Sequence, residues 1–288
     1  MQPDVVVNDD TIAVGEIPRW HADEGVLYWA DIMENTLFRY DPGNGEHRRV
    51  SGADVARGIS IQDDGGVLLS GAGMGLSVWK DETLETLREG TPGETTFNDS
   101  MVDPEGRLYG SLMAKQDENE NVLRAGCVCR IDLDGSTQIV SGDIGAPNGI
   151  MMRGDDRAIY VADNSCATVW AFDYDRASGN LDNQRAFIEL SEGTPDGMAT
   201  DADGNLWLTA CGGGYVGCYD QDGKLIRKVD FPVSAITAAD FGGETLETLY
   251  VTSLGGIWRS GPDDLSGCLF AVDAGVKGRP RHPSRIHP

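Results

Sequence analysis

Six positions in this 288-residue chain carry side chains able to hold a hard cation or a polar substrate, and they recur at near-regular intervals. They are Glu16, Arg57, Asn98 with Asp99, Asn148, Asp196 and Thr237. Each opens a short apolar segment: EIPRW, RGISI, NDSMV, NGIMM, DGMAT and TAADF. Carboxylate and amide oxygens suit Ca²⁺, Mg²⁺ or Mn²⁺, with Zn²⁺ or Fe²⁺ accommodated by occupancy. Carboxylates brought together without a counter-ion repel one another, and a cation between them is the natural resolution. The four histidines, His21, His47, His282 and His287, fall off these positions, which argues against a histidine-based metal site or a Ser-His-Asp triad. Asn-Gly and Asp-Gly are also common turn pairs. Taken singly, PNG at 147–149 and PDG at 195–197 read as hairpin chemistry; at equivalent places in a repeat they read as a site.

The elements that must position these residues form six units. A strand-like cluster recurs as LYWAD, VLLSG, RLYGS, AIYVAD, NLWLTA and TLYVTS, with steps of 41, 40, 51, 47 and 43 residues between Leu27, Leu68, Leu108, Ile159, Leu206 and Leu249. In several units acidic-glycine turns, DDGG at 63–66, DPEG at 103–106 and DADG at 201–204, join the cluster to the segment before it. Two further strand-like stretches follow, for example LFRYD, CVCRID and VGCYD. Alternating Val, Ile and aromatic residues are what half-buried strands need, and long amphipathic helices are missing. Four strands every 40–50 residues, six times, predict an all-β, six-bladed β-propeller spanning 1–288 as one domain. Its innermost strands should begin near 16, 57, 98, 148, 196 and 237, so that the chemistry-bearing residues converge on one mouth of the central channel. The VVV at 5–7 reads as an edge strand that closes the ring. The repeated aromatics Trp29, Tyr109, Tyr160, Trp207 and Tyr250 read as core, and Trp20 with them. The Pro- and Arg-rich end, GVKGRPRHPSRIHP, reads as a strapped or frayed tail.

Charge narrows the partners. Lys and Arg total 23 against 47 Asp and Glu, a formal charge of −24, with 32 of the acids Asp and only five of the cations Lys. Such a field repels nucleic acid and anionic lipid. It is solubilising and would suit a salt-rich habitat. No apolar run approaches the ~20 residues of a membrane span, and the opening MQPDVVVNDD lacks the basic and apolar regions of a leader, so the expectation is a soluble, cytoplasmic protein. The six cysteines form no CxxC pair and read as small apolar residues; the Cys127-x-Cys129 pair lacks nearby histidines that would make it a metal site.

Longer stretches carry a resemblance. GEIPRW, LYWADI, FNDSMVDPEGRLYGSLM, APNGI, AFDYDRASGNL, TPDGMATDADGNLWLTA and LYVTS, in this order over nearly the whole chain, resemble the gluconolactonase, regucalcin and luciferin-regenerating enzyme family of six-bladed propellers. The resemblance implies one divalent cation at the channel mouth held by Glu16, Asn148 and Asp196, with Asn98 near metal or substrate. It implies a lactone of a sugar acid as the small-molecule substrate. The metal would polarise the lactone carbonyl, and a carboxylate would activate the attacking water: Asp196 as first choice, Asp99 as second. Two substrate-holding places depart from the family pattern, with Thr96 in place of an Arg and Gln116 near the place of a Glu. Arg57 is a candidate to supply the missing cationic donor, against the alternative of a rim salt bridge. The irregular stretch 116–126 reads as a loop over the mouth. Rival expectations are a propeller hydrolase or cyclase acting on a phosphotriester or specialised metabolite, and a non-catalytic metal-binding interaction propeller. The expected assembly is a monomer or weak oligomer.

Overall fold

The computed structural model describes residues 2–50, 57–91, 93–116, 122–261 and 264–287. Apolar residues at nearly every position of the LYWAD-type clusters produce strands buried on both faces: Val26–Asp31, Val67–Ser70, Leu108–Leu112, Ala158–Asp163, Leu206–Cys211 and Thr248–Ser253. Each is the second strand of a four-stranded antiparallel sheet, and six such sheets are present among the described residues. The sheets are the blades of a six-bladed β-propeller, packed face to face through the repeated aromatics; Trp29, Tyr109, Tyr160, Trp207 and Tyr250 are all buried. Burying both faces of these strands is the main stabilising contribution, because apolar area removed from water is worth about 25 cal/mol per Å².

The inner strands are Gly15–His21, Gly58–Ile61, Phe97–Val102, Pro147–Met152, Thr194–Thr200 and Ile236–Gly242. Each returns to the second strand through a turn, and in DPEG and DADG the aspartate builds it. Asp103 accepts the Glu105 and Arg107 N–H groups, and Asp201 accepts those of Asp203 and Asn205, while Gly106 and Gly204 adopt φ of +85° and +84°. A side chain there would be strained. The ring closes as the VVV motif implied. Asp4–Val7 is the outermost strand of the sixth blade, pairing antiparallel with Leu269–Asp273, so that the first and last segments of the chain share one sheet and leave no open seam.

The tail is a strap. Lys277 O accepts the Ala202 N–H, Arg279 N–H bonds Thr200 O, Ser284 exchanges backbone bonds with Ile61 and Asp63, and Arg285 N–H bonds Gly106 O. It thereby runs from the fifth blade to the second and third across the end of the channel reached by the finishes of the inner strands. Trp20 differs from its expected core role. It is half-buried, stacked on Tyr250, and faces a 940 Å³ cavity between this strap and the blades. No helix is long and apolar enough to cross a membrane among the described residues.

The formal charge of −24 sits on a surface where most ion pairs are exposed and contribute little. Self-repulsion therefore opposes the folded state, and screening relieves it. Raising NaCl from about 0.1 M to about 1 M, which shortens the Debye length from ~10 to ~3 Å, is expected to raise the thermal midpoint by roughly 5 °C or more. A flat or falling midpoint in calorimetry would contradict this.

Candidate active site at the channel mouth

Five inner strands share one irregularity. Their pairing with the second strand shifts register between Glu16 and Arg19, Phe97 and Asp99, Pro147 and Ile150, Pro195 and Met198, and Ile236 and Ala239. A β-bulge at this place leaves two residues opposite one and re-aims side chains. It does so where Glu16, Asn98, Asn148, Asp196 and Thr237 stand, at the start of each strand. PNG and PDG are therefore strand segments, not hairpin turns. Their glycines are required by close approach: a Cβ on Gly149 would lie 2.2 Å from Asp196 O, and one on Gly197 would lie 2.4 Å from the Ala238 Cβ. The absence of side chains lets the inner strands draw together at the axis.

Further aspartates hold the entry loops. Asp31, ending the first blade's second strand, accepts the N–H groups of Ala13 and Val14 at 2.7 and 3.2 Å, just ahead of Glu16. Asp163 does the same for Gly145 and Ala146 ahead of Asn148. Burial works against the Asp163 charge, yet bonds from Ser165, Ala146, Gly145 and Trp170 outweigh it and hold its carboxyl at about 2. Thr237 serves the ring: its hydroxyl donates to Gly15 O at 2.6 Å, tying the sixth blade to the first beside Glu16. Ile17, directly after Glu16, has φ of +53°, an outlying conformation for a β-branched residue. Strain of this kind persists where the surrounding structure fixes a functional group.

The result is a buried acidic centre. Glu16, Asp99, Asn148 and Asp196 are 8%, 6%, 8% and 5% exposed. Burial foremost, then the Asp196 and Asp99 charges, pushes the Glu16 carboxyl well above the ordinary carboxylate range. Burial and the Asp99 charge do the same to Asp196, opposed by the Gly197 N–H and the Asn148 side chain. One oxygen of Asp196, Oδ1, is buried with no hydrogen-bond partner among the described residues. An orphaned carboxylate oxygen among like charges costs free energy that a cation would recover, so this donor set fits a hard divalent ion. Among the described residues, the trio of acid, cysteine or histidine ligand atoms lying within 4.8 Å of one another is Asp63, Asp64 and His287, exposed and far from the mouth.

Asp99 differs from its neighbours because both its oxygens have partners. Oδ1 takes the Arg19 guanidinium at 2.6 Å and the Ser100 N–H at 2.7 Å, and Oδ2 takes the Ile150 N–H at a long 3.4 Å. Asn98 donates to Pro147 O at 3.0 Å across to the fourth blade. Thr96 is half-buried, its hydroxyl on Phe97 O. Arg57 enters the second blade's inner strand through its N–H to Ser70 O; the Gly58–Ser70 pairing aligns it with Asp99, Gly149 and Gly197, one place beyond Glu16. Its guanidinium is half-buried and makes no ion pair or hydrogen bond among the described residues, so the rim salt bridge is not formed there. Gln116 contributes backbone to the antiparallel pairing of Lys115–Gln116 with Val122–Arg124; its side chain and residues 117–121 lie outside the described residues.

Two residues at the centre were not singled out by sequence. Arg19 is a buried charge within an apolar strand pattern, which was the available signal. Cys211 is half-buried; burial, then Asp196 and Glu16, push its thiol up to about 12, so it stays protonated. The Cys127 and Cys129 pair is buried, as small core residues should be.

Residues 14–255 match the family described as the SMP-30/Gluconolactonase/LRE-like region. The chain belongs to that family. Among curated relatives, this SMP-30/gluconolactonase-family chain is 34% identical to pentonolactonase XacC of Haloferax volcanii, with 97% of each chain covered. It is 32% identical to 6-deoxy-6-sulfogluconolactonase of Pseudomonas putida, with 92% of each covered. Among solved structures, the calcium-binding protein regucalcin of Agrobacterium tumefaciens superposes with a TM-score of 0.80 at 23% identity, covering 99% of this chain and 97% of that one.

Proposed function

We propose that this chain is a divalent-metal-dependent hydrolase that opens lactones of sugar acids. The observation that carries the reading is the partnerless Asp196 Oδ1, buried beside Glu16 and Asn148 at the convergence of three inner strands. Two relatives bear the names of sugar lactonases, and regucalcin is described as calcium-binding, which supports both halves of the proposal.

In this reading Glu16, Asn148 and Asp196 hold the ion. When bound, it supplies Lewis acidity that polarises the lactone carbonyl. Asn98 and Arg57 hydrogen-bond substrate oxygens and orient the ring. Of the two candidate bases, Asp99 is the better one. In this reading Asp196 is committed to the ion through its partnerless oxygen, whereas Asp99 is held by Arg19 through Oδ1 alone, and its Oδ2 has only the long Ile150 contact and keeps lone pairs free. Asp99 takes a proton from water as its oxygen bonds the carbonyl carbon. The tetrahedral adduct then expels the ring oxygen, which takes the proton back from Asp99, giving the open hydroxy acid.

The test is hydrolysis of a panel of sugar-acid and aliphatic lactones after chelation and with each divalent metal restored. The expected result is metal-restored turnover of at least one sugar lactone. Metal binding with silence across the panel would overturn the proposal. Arg57→Gln, losing a charged donor worth ~1.5 kcal/mol or more, is expected to raise KM about tenfold with a much smaller change in kcat. An unchanged KM would remove Arg57 from the substrate site.

A further inference from the structure

The mouth gathers three buried carboxylates, but only two are left short of partners. Among the described residues, Glu16 Oε2 has one hydrogen bond, from the Ile17 N–H at 3.2 Å, and Asp196 Oδ1 has none. Asp99 is the exception, and the cause is Arg19. This guanidinium is 3% exposed. Its Nε donates to Ile59 O at 3.0 Å, Nη1 to Pro18 O at 2.8 Å, and Nη2 to Ser100 O at 3.1 Å and Asp99 Oδ1 at 2.6 Å. Carbonyls of three blades thus aim the fork at one carboxylate oxygen.

The bulge makes this possible. In a regular strand, residues three apart face opposite sides. The shift between Glu16 and Arg19 adds one residue, so both project into the channel, Glu16 at the mouth and Arg19 below it. Arg19 also lines the cavity on the strap side, and Arg281 and Asp240 act on its charge from there. It is the layer between the acidic mouth and the far end of the channel.

We infer that Arg19 is a positioning residue that withholds Asp99 from the metal, leaving Glu16, Asn148 and Asp196 as ligands and Asp99 as proton acceptor. The inference rests on the proposed lactonase reading for the role of Asp99, but the partition of carboxylates stands on the contacts alone. Without Arg19, a third unpaired carboxylate would stand beside the first two. The site would attract a cation more strongly, and Asp99 would turn toward it. An arginine that merely stapled three blades would behave differently, since its loss would loosen the site and weaken metal binding and turnover together.

The experiment uses the full chain with Arg19→Met, Arg19→Lys, Asp99→Asn and the double variant Arg19→Met/Asp99→Asn. Ca²⁺ and Mn²⁺ affinities are measured by calorimetry without substrate, and kcat and KM with whichever lactone the unmodified protein turns over. For Arg19→Met, cation affinity is expected to rise about tenfold while kcat falls at least thirtyfold with KM little changed. The double variant should be no slower than Asp99→Asn alone, because residues acting as one unit are not additive. Arg19→Lys, which keeps the charge but not the fork, should move both quantities in the same directions by less, and it serves if Arg19→Met does not fold. Weaker cation binding in Arg19→Met or Arg19→Lys, or fully multiplicative losses in the double variant, would overturn the inference. If no lactone is turned over, the lactonase reading fails, while the calorimetric arm still decides the partition of the carboxylates.

Discussion

Asp196→Asn is expected to lower kcat/KM on the preferred lactone by about a thousandfold or more, and to weaken divalent-metal binding about a hundredfold. The substitution keeps size and shape and removes one charge, so packing of the fifth blade's inner strand against Gly149 should survive. What disappears is the charge of the proposed ligand, whose Oδ1 has no partner among the described residues. Kinetics with restored metal and calorimetric titration check the two halves. Near-normal turnover with intact binding would remove Asp196 from the centre.

The same residue sets the pH response of the metal-free protein. Burial and like charges hold the folded-state pKa values of Glu16 and Asp196 well above their unfolded ones. A raised carboxyl binds its proton more tightly when folded, so stability falls as pH climbs from the unfolded value, near 4, up to the raised folded value. With chelator present, the thermal midpoint contribution of this pair should therefore decline through that window. Asp196→Asn should flatten the decline and leave the metal-free protein more stable than the unmodified one at pH 7. Calorimetric scans across pH, with and without the substitution, read this directly. A decline of unchanged slope in the variant would assign it elsewhere.

Ending the chain after Val276 is the second large effect, this time on stability. The strap carries Ile286, 3% exposed, whose burial is worth roughly 2 kcal/mol. It also carries Arg281, which bonds Asp240 at 2.8 Å and Met198 O at 2.8 Å, and Arg279 and His282, which bond Asp156 at 2.8 and 2.9 Å. Asp240 is 5% exposed, and leaving a buried carboxylate without its cation costs about 3 kcal/mol or more. With the lost backbone bonds to Ile61, Asp63, Thr200 and Ala202, the total exceeds about 5 kcal/mol, or a midpoint drop of about 10 °C or more in a chain of this size. A truncated chain melting within about 3 °C of the full one would show that the strap is ornamental.

The alternating apolar repeats and Asp-Gly turns made the six blades legible, because a period of two and a recurrence of 40–50 residues translate directly into strands and sheets. The inner-strand starts at Glu16, Asn98, Asn148 and Asp196 were legible for the same reason, as was closure by the 5–7 segment. The turn-like appearance of PNG and PDG was misleading in isolation. Their glycines serve contact between neighbouring strands, a requirement that arises only once blades are packed. Arg57 was placed by the repeat at a channel start, but the pairing of Gly58 with Ser70 aligns it one residue further along. Register to a single residue is set by bulges, which leave little trace in composition.

By itself, then, the sequence determined how many blades form, which residues open them, and that oxygen donors would meet on the axis. Hydrophobic period and turn chemistry are local and survive in a linear string. Only the tertiary structure decided how those donors divide. Arg19 and Asp99 are 80 residues apart and meet at 2.6 Å because a bulge rotates one strand and ring closure brings three blades together. Likewise, the strap became a closure of the far mouth only through partners on blades scattered along the chain. Charge pairing of this kind depends on through-space distance, and no local pattern encodes it.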